Sequence, residues 1–177
     1  MTTIISLIGA PCSGKSVLAA EIYKTLSMQG LSCQLVREYA TEYNARFGGI
    51  NPYQHVAILG KQTNRMLAFI GKVDFLVTDS CLSLNAFYSR LIDGDSLTKN
   101  TVKLIYKKLE QDGHKLKFYH LEPLPLVSAA GRIHDENIKI DACLSFFIHF
   151  LSNVNKIKAM PLEDRCKLIV EEVTYGI

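Results

Sequence analysis

Apolar residues fall along the chain in blocks of two kinds. Some are short and nearly continuous: TIISLIG at 3–9, SCQLVRE at 32–38, VDFLVTDS at 73–80, KLKFYHLEP at 115–123 and NKIKAMP at 155–161. Such runs predict strands, and TIISLIG, β-branched and apolar up to its closing glycine, reads as one buried on both faces. The others repeat at helical spacing. Residues 16–29 carry Leu18, Ala19, Ile22, Tyr23 and Leu26 ahead of Gly30, and Asn51-Pro52 opens a pattern through Val56, Leu59, Leu67 and Ile70 that stops near Gly71. Further helices are predicted over 81–92, 97–112, 138–152 and 162–175, with a break at the Asp-Gly-Asp of 93–95 and a loop over 123–137. Strands that alternate with helices predict an α/β fold in three layers, a mostly parallel five-stranded sheet flanked by helices, because parallel strands need long crossovers. Ligands of such sheets bind outside the carboxyl ends of the strands. Gly9, Glu38, Asp79 and Glu122 all fall at those ends.

Composition narrows the class without changing that picture. Hydrophobic residues make up 48% and charged residues 21% of 177 residues, as in an ordinary globular chain, and no repeat or low-complexity segment divides it. A single domain over 1–177 is therefore expected. The net charge of +3 is too small to imply a nucleic-acid binder by itself. No apolar run approaches the length of a membrane span, and the start MTTIISLIGAP lacks the marks of a signal peptide. Five cysteines, widely spaced and without a CxxC pair, suit reduced thiols and a cytoplasmic setting.

The chemistry begins at IGAPCSGKSVLAA. Gly9-Ala10-Pro11-Cys12-Ser13-Gly14-Lys15-Ser16 fits G-x-x-x-x-G-K-[ST], the Walker A pattern, and sits between a predicted strand and a predicted helix as that pattern requires. Glycines let the backbone pass close to an anion. Successive N–H groups then form a nest at a helix N-terminus, which carries about half a positive charge. The expected nucleotide-binding set is Gly9, Ala10, Pro11, Cys12, Ser13, Gly14, Lys15, Ser16 and Val17. Lys15 would bridge the β- and γ-phosphates and the Ser16 hydroxyl would ligate Mg²⁺.

Three charged residues extend the site. Asp79 closes DFLVTD, where a carboxylate holds Mg²⁺ or takes the proton of an attacking hydroxyl, or else caps the following helix. Glu38 is a candidate base for the acceptor, or a solvated glutamate of a helix first turn. Arg132, beside Gly131 in the 123–137 loop, is placed either in a lid that closes over the phosphates or on the surface.

At these residues the sequence resembles the nicotinamide riboside kinase domain of the bacterial NAD-biosynthesis regulator, together with related small P-loop kinases and NTPases often found in bacteriophages. The resemblance rests on GAPCSGKS, VREYATEY, the glutamine-bearing HVAILGKQTNRMLAF and FLVTDS, and covers roughly residues 3–90 with a weaker match over 115–140. It implies a P-loop NTPase fold, Mg-ATP as donor and a nucleoside-like acceptor. That acceptor would sit between the Glu38 region and the helix carrying Gln62 and Arg65, under a lid near Arg132.

Between the second and third strands, Arg37, Arg46, Arg65, Tyr39, Tyr43, Phe47 and Tyr53 supply cations and rings. Stacking and bidentate grip by such residues point to an acceptor that already bears phosphate, a mononucleotide or a nucleic-acid strand. The alternative is that they are core rings and solvated arginines. The expected substrate-binding residues are Arg37, Tyr39, Tyr43, Gln62 and Arg65. The expectation is thus a kinase that uses ATP and Mg²⁺, with Lys15, Asp79, Glu38 and Arg132 as its catalytic residues and a nucleoside, nucleotide or similar small molecule as acceptor. A kinase acting on DNA or RNA and a nucleotide-driven switch with a protein partner are the alternatives.

Overall fold

The computed structural model describes residues 1–51, 53–93, 97–124 and 134–175. Five strands, β1 (Thr3–Ile8), β2 (Cys33–Val36), β3 (Phe75–Thr78), β4 (Lys115–Leu121) and β5 (Val154–Ile157), form one sheet in the order β2-β3-β1-β4-β5. Every pairing is parallel, with Ser6 opposite Thr78 and Ile8 opposite His120. The central strand β1 is buried along its whole length, which is why its sequence is a continuous apolar run rather than an alternation.

Alternate residues of the strands feed two cores. Ile5, Leu7, Val77, Tyr119 and Leu121 pack against α1 (Lys15–Met28), through Leu18, Ile22 and Leu26, and against α7 (Leu162–Thr174), through Ile169 and Val170. Ile4, Ile8, Leu76 and Phe118 face the other way. They meet α3 (Gln54–Leu67), α4 (Leu82–Asp93), α5 (Leu97–Gln111) and α6 (His134–Phe147) through Leu59, Phe87, Val102 and Leu144. The sheet is therefore the middle of three layers, in the P-loop NTPase arrangement. β1 and β3 are direct neighbours, so the turns after both strands open on the same edge.

Three elements depart from the expectation. A further helix, α2 (Tyr39–Phe47), buries none of its residues, although Tyr39, Tyr43 and Phe47 stand four apart along it with their rings in sequence. Gly48, at φ 73°, ends it by donating its N–H to Asn44 O. Helix α3 turns a different face inward from the one its most hydrophobic residues suggest. His55, Ile58, Leu59, Gln62 and Met66 are buried, while Val56 and Leu67 are exposed. Helix α6 starts at His134 rather than 138 and ends at Phe147 in a short 3-10 turn over Ile148–Phe150, so the polar run at 134–137 is helix and not loop. An acidic start suits a helix N-terminus even without apolar residues.

The phase of α3 is open to test. Leu59 is 3% exposed and Leu67 is 50% exposed on the same helix. Leu59→Ala is expected to cost about 2–5 kcal/mol of unfolding free energy and Leu67→Ala about 1 kcal/mol or less, measured by urea denaturation. Equal losses would contradict the assignment.

Candidate functional site

Where β1 ends, the chain makes a tight loop before α1. A Cβ on Gly9 would lie 2.7 Å from Ser13 Oγ and 3.0 Å from Leu121 O, so nothing larger than glycine fits where the loop crosses the end of β4. Gly14 is the N-cap of α1 in the left-handed region, at φ 86° and ψ 11°, where glycine is free and other residues are strained. Cys12 is also left-handed, at φ 62°. Inside the loop, Ser13 N–H donates to Ala10 O at 3.3 Å. Among the described residues, the N–H groups of Gly14, Lys15 and Ser16 have no acceptor, and no side chain caps the helix. Bare amides at a helix N-terminus form an anion site.

The Lys15 ammonium folds back over this loop and donates to Gly9 O at 2.9 Å and Ala10 O at 2.8 Å. Burial pulls its pKa below the ordinary lysine value, and the carboxylates of Glu38 and Asp79 oppose the shift. Asp79, 4% exposed at the tip of β3, accepts the Glu38 N–H on Oδ1 at 2.7 Å. Its bond thus reaches across to the start of α2. Glu38 in turn accepts Thr41 Oγ1 at 2.6 Å and Ser80 Oγ at 3.1 Å, which fixes both of its oxygens.

Beside this trio lies a cavity of about 420 Å³ that runs from Gly9, Pro11 and Lys15 past Glu38 and Thr41 to Gln62. Its far walls are Ile58, Leu84, Asn85 and Tyr88. Gln62, 4% exposed, accepts the Tyr39 N–H on Oε1 at 2.8 Å, which settles the orientation of its amide. Its Nε2 is then a buried donor with no partner among the described residues, as Asn85 Oδ1 is a buried acceptor without one. A larger groove, about 700 Å³ between α3 and α5, is walled by Val56, Leu67 and Ile105 and contains none of the loop residues.

Of the residues anticipated for substrate, the structure brings Gln62 to this cavity and leaves Arg37, Tyr39, Tyr43 and Arg65 off its walls. Arg37 is exposed. The Arg65 guanidinium lies 4.6 Å over the Tyr39 ring and pairs with Glu42, which also pairs with Arg46 at 3.1 Å. The Arg65 hydrogen bond holds the Glu42 carboxyl below its usual range. Arg46 and Arg65 are thus held by Glu42, Arg65 also by the Tyr39 ring, and Lys15 is the only lysine or arginine among the described residues lining the cavity. Of the nucleotide set, Ala10 and Ser13 are buried, while Ser16 and Val17 are exposed on the first turn of α1. Arg132 falls outside the described residues, as does the expected lid except at its two ends. The distal end, 134–137, is the first turn of α6.

The structure also draws in residues that the pattern did not single out: Thr41, Ser80, Asn85 and Arg165. No motif marks them, since each is a common residue placed by the fold. Arg165 of α7 is 2% exposed and donates to Ser13 O at 3.1 Å and Glu122 O at 3.2 Å. For a divalent cation, the Ser16 hydroxyl and the Asp79 carboxylate supply oxygen ligands, and the second oxygen of Asp79 makes no described hydrogen bond. That donor set suits Mg²⁺, which takes few protein ligands and completes its shell with water and phosphate.

A strand, a glycine loop of bare amides and a helix carrying lysine and serine define a P-loop nucleotide-binding domain. The model of a family described as AAA domain matches residues 4–145, and the chain belongs to that family. No curated protein matches it. Among solved structures, the NadR protein in complex with NR is similar over 99% of this chain at 13% identity and TM-score 0.70. The match takes in 52% of that protein, so this chain spans about half its length. The structure of APE1195 is similar over 99% of this chain and 96% of its own, at 13% identity and TM-score 0.55. At such identities the likeness speaks for the fold alone.

Chemical labelling reports on the loop directly. Cys12 sits within it and Cys143 is exposed on α6, whereas burial pushes the thiols of Cys81, Cys166 and Cys33 up, the last to about 11. Iodoacetamide is expected to label Cys12 and Cys143, and saturating Mg-ATP to protect Cys12 alone, as read by peptide mass spectrometry. Equal labelling of Cys12 with and without Mg-ATP would contradict the site.

Proposed function

We propose that the chain is a cytoplasmic Mg-ATP-dependent kinase that transfers the γ-phosphoryl group to a hydroxyl of an unphosphorylated, nucleoside-like small molecule. The observation that carries this reading is the fixed carboxylate of Glu38, held by Thr41 and Ser80 on the wall of a cavity that opens onto Lys15. A nucleotide-driven switch has no need of a second cavity with an acid at its mouth. The free Gln62 donor and Asn85 acceptor suit a neutral ligand with a hydrogen-bonding edge. The scarcity of cations among the described residues of the walls argues against a phosphorylated acceptor, contrary to the leaning drawn from counting arginines.

In this reading the loop amides and Lys15 hold the β- and γ-phosphates, and Glu38 takes the acceptor's hydroxyl proton as its oxygen bonds to the γ-phosphorus. The bond from that phosphorus to the β-phosphate oxygen breaks and ADP leaves. Asp79 holds the Glu38 backbone in place and, with Ser16, would hold Mg²⁺, which neutralises phosphate charge when bound. Arg132 is the candidate to cover the phosphates from the segment beyond β4.

Phosphate transfer from labelled ATP to panels of nucleosides, mononucleotides and oligonucleotides tests the proposal. Transfer to a nucleoside-like compound and none to its 5′-phosphate is the expected result. Lys15→Ala is expected to lose about 3 kcal/mol of transition-state stabilisation, on the order of a hundredfold in rate, and Glu38→Gln a loss of similar size in kcat. Transfer confined to oligonucleotides, or unchanged turnover in both variants, would refute it.

A further inference from the structure

Arg165 is a buried cation that forms no ion pair among the described residues. Its two Nη groups donate to backbone carbonyls, Ser13 O and Glu122 O, and its Nε is buried with no partner among the described residues. Glu122 is the acid that acts on it electrostatically, yet the Glu122 carboxylate is exposed and accepts the Ala159 N–H at 3.2 Å instead. No described carboxylate forms an ion pair with the guanidinium. Burying a charge in this way costs stability unless something anionic offsets it.

The contact falls on the loop itself. Ser13 C=O and Gly14 N–H belong to one planar peptide group, with the carbonyl and the N–H on opposite sides. The carbonyl side takes the Arg165 hydrogen bond. The N–H side is one of the amides left bare at the start of α1. A cationic donor on the carbonyl polarises the whole unit and makes its N–H a stronger donor.

We infer that Arg165 is a positioning residue of the nucleotide site, a buried charge that acts through the Ser13–Gly14 peptide to strengthen the loop's grip on the polyphosphate. The inference rests on the reading of the loop as a nucleotide site. It also gives α7 a part in that site, although the helix packs on the opposite layer from the acceptor cavity. Through Glu122 O the same guanidinium anchors the root of the segment that leaves β4.

Calorimetric titration of the chain with Mg-ATP and with inorganic tripolyphosphate tests this, since the second ligand reads the anion contact alone. Arg165→Gln is expected to weaken both ligands by the same factor, about tenfold or more, and Arg165→Lys, which keeps the charge, to stay within about threefold of the parent. A glutamine variant that loses ATP but keeps its tripolyphosphate affinity overturns the proposal. So does a lysine variant as weak as the glutamine one, because the loss would then follow shape rather than charge. If the glutamine variant does not fold, the lysine variant decides, with a tenfold loss counting against the proposal. A parent that binds neither ligand overturns the nucleotide reading itself, and the inference with it.

Discussion

The site depends on a set of peptide N–H groups that the fold leaves, among the described residues, without internal acceptors at one point. The first turn of any helix has such donors. In this chain Gly14 turns left-handed into α1, no described side chain caps them, and the crossing at Gly9 is too tight for a Cβ. The rest of the molecule serves that turn. β1 is buried along its length in the middle of the sheet and fixes where the loop begins, while α1 fixes where it ends. Ser13 is held from behind by α7, and Lys15 closes the front.

The acceptor side is built by another device. β3 is the immediate neighbour of β1, so Asp79 emerges beside the loop, and its bond to the Glu38 amide ties the tip of β2 to the tip of β3. That tie sets the entry to α2, and Tyr39 N–H is then satisfied by Gln62 of α3. Two backbone amides at the start of α2 are thus bonded by side chains from two other elements. The cavity beside them is a product of that linkage more than of any single residue.

Much of this was legible in the sequence because it is written in period and punctuation. The central strands β1 and β3 are nearly continuous apolar runs, and the loop pattern fixes eight residues at once. What stayed hidden has physical reasons. Helix α2 spaces Tyr39, Tyr43 and Phe47 four residues apart, and because it buries none of them the rings suggest a ligand as readily as a helix. Helix α3 buries His55 and Gln62 while exposing Val56 and Leu67, so hydrophobicity alone puts its stripe in the wrong phase. The arginines between the second and third strands invited a phosphate because their charges are visible and their partners are not. Glu42 lies on a neighbouring helical turn from Arg46 but far along the chain from Arg65. Arg165 was illegible for the same reason, since a lone arginine in a helix acquires meaning only from the carbonyls that the fold brings to it.

The central claim, that these amides bind a nucleotide's terminal phosphates, is most directly tested by following backbone amide resonances as Mg-ATP is added. The account predicts saturable downfield shifts of the Gly14, Lys15 and Ser16 amide protons, larger than those of amides elsewhere in α1. Resonances of these three residues that stay in place while ATP binds at another part of the chain would contradict it.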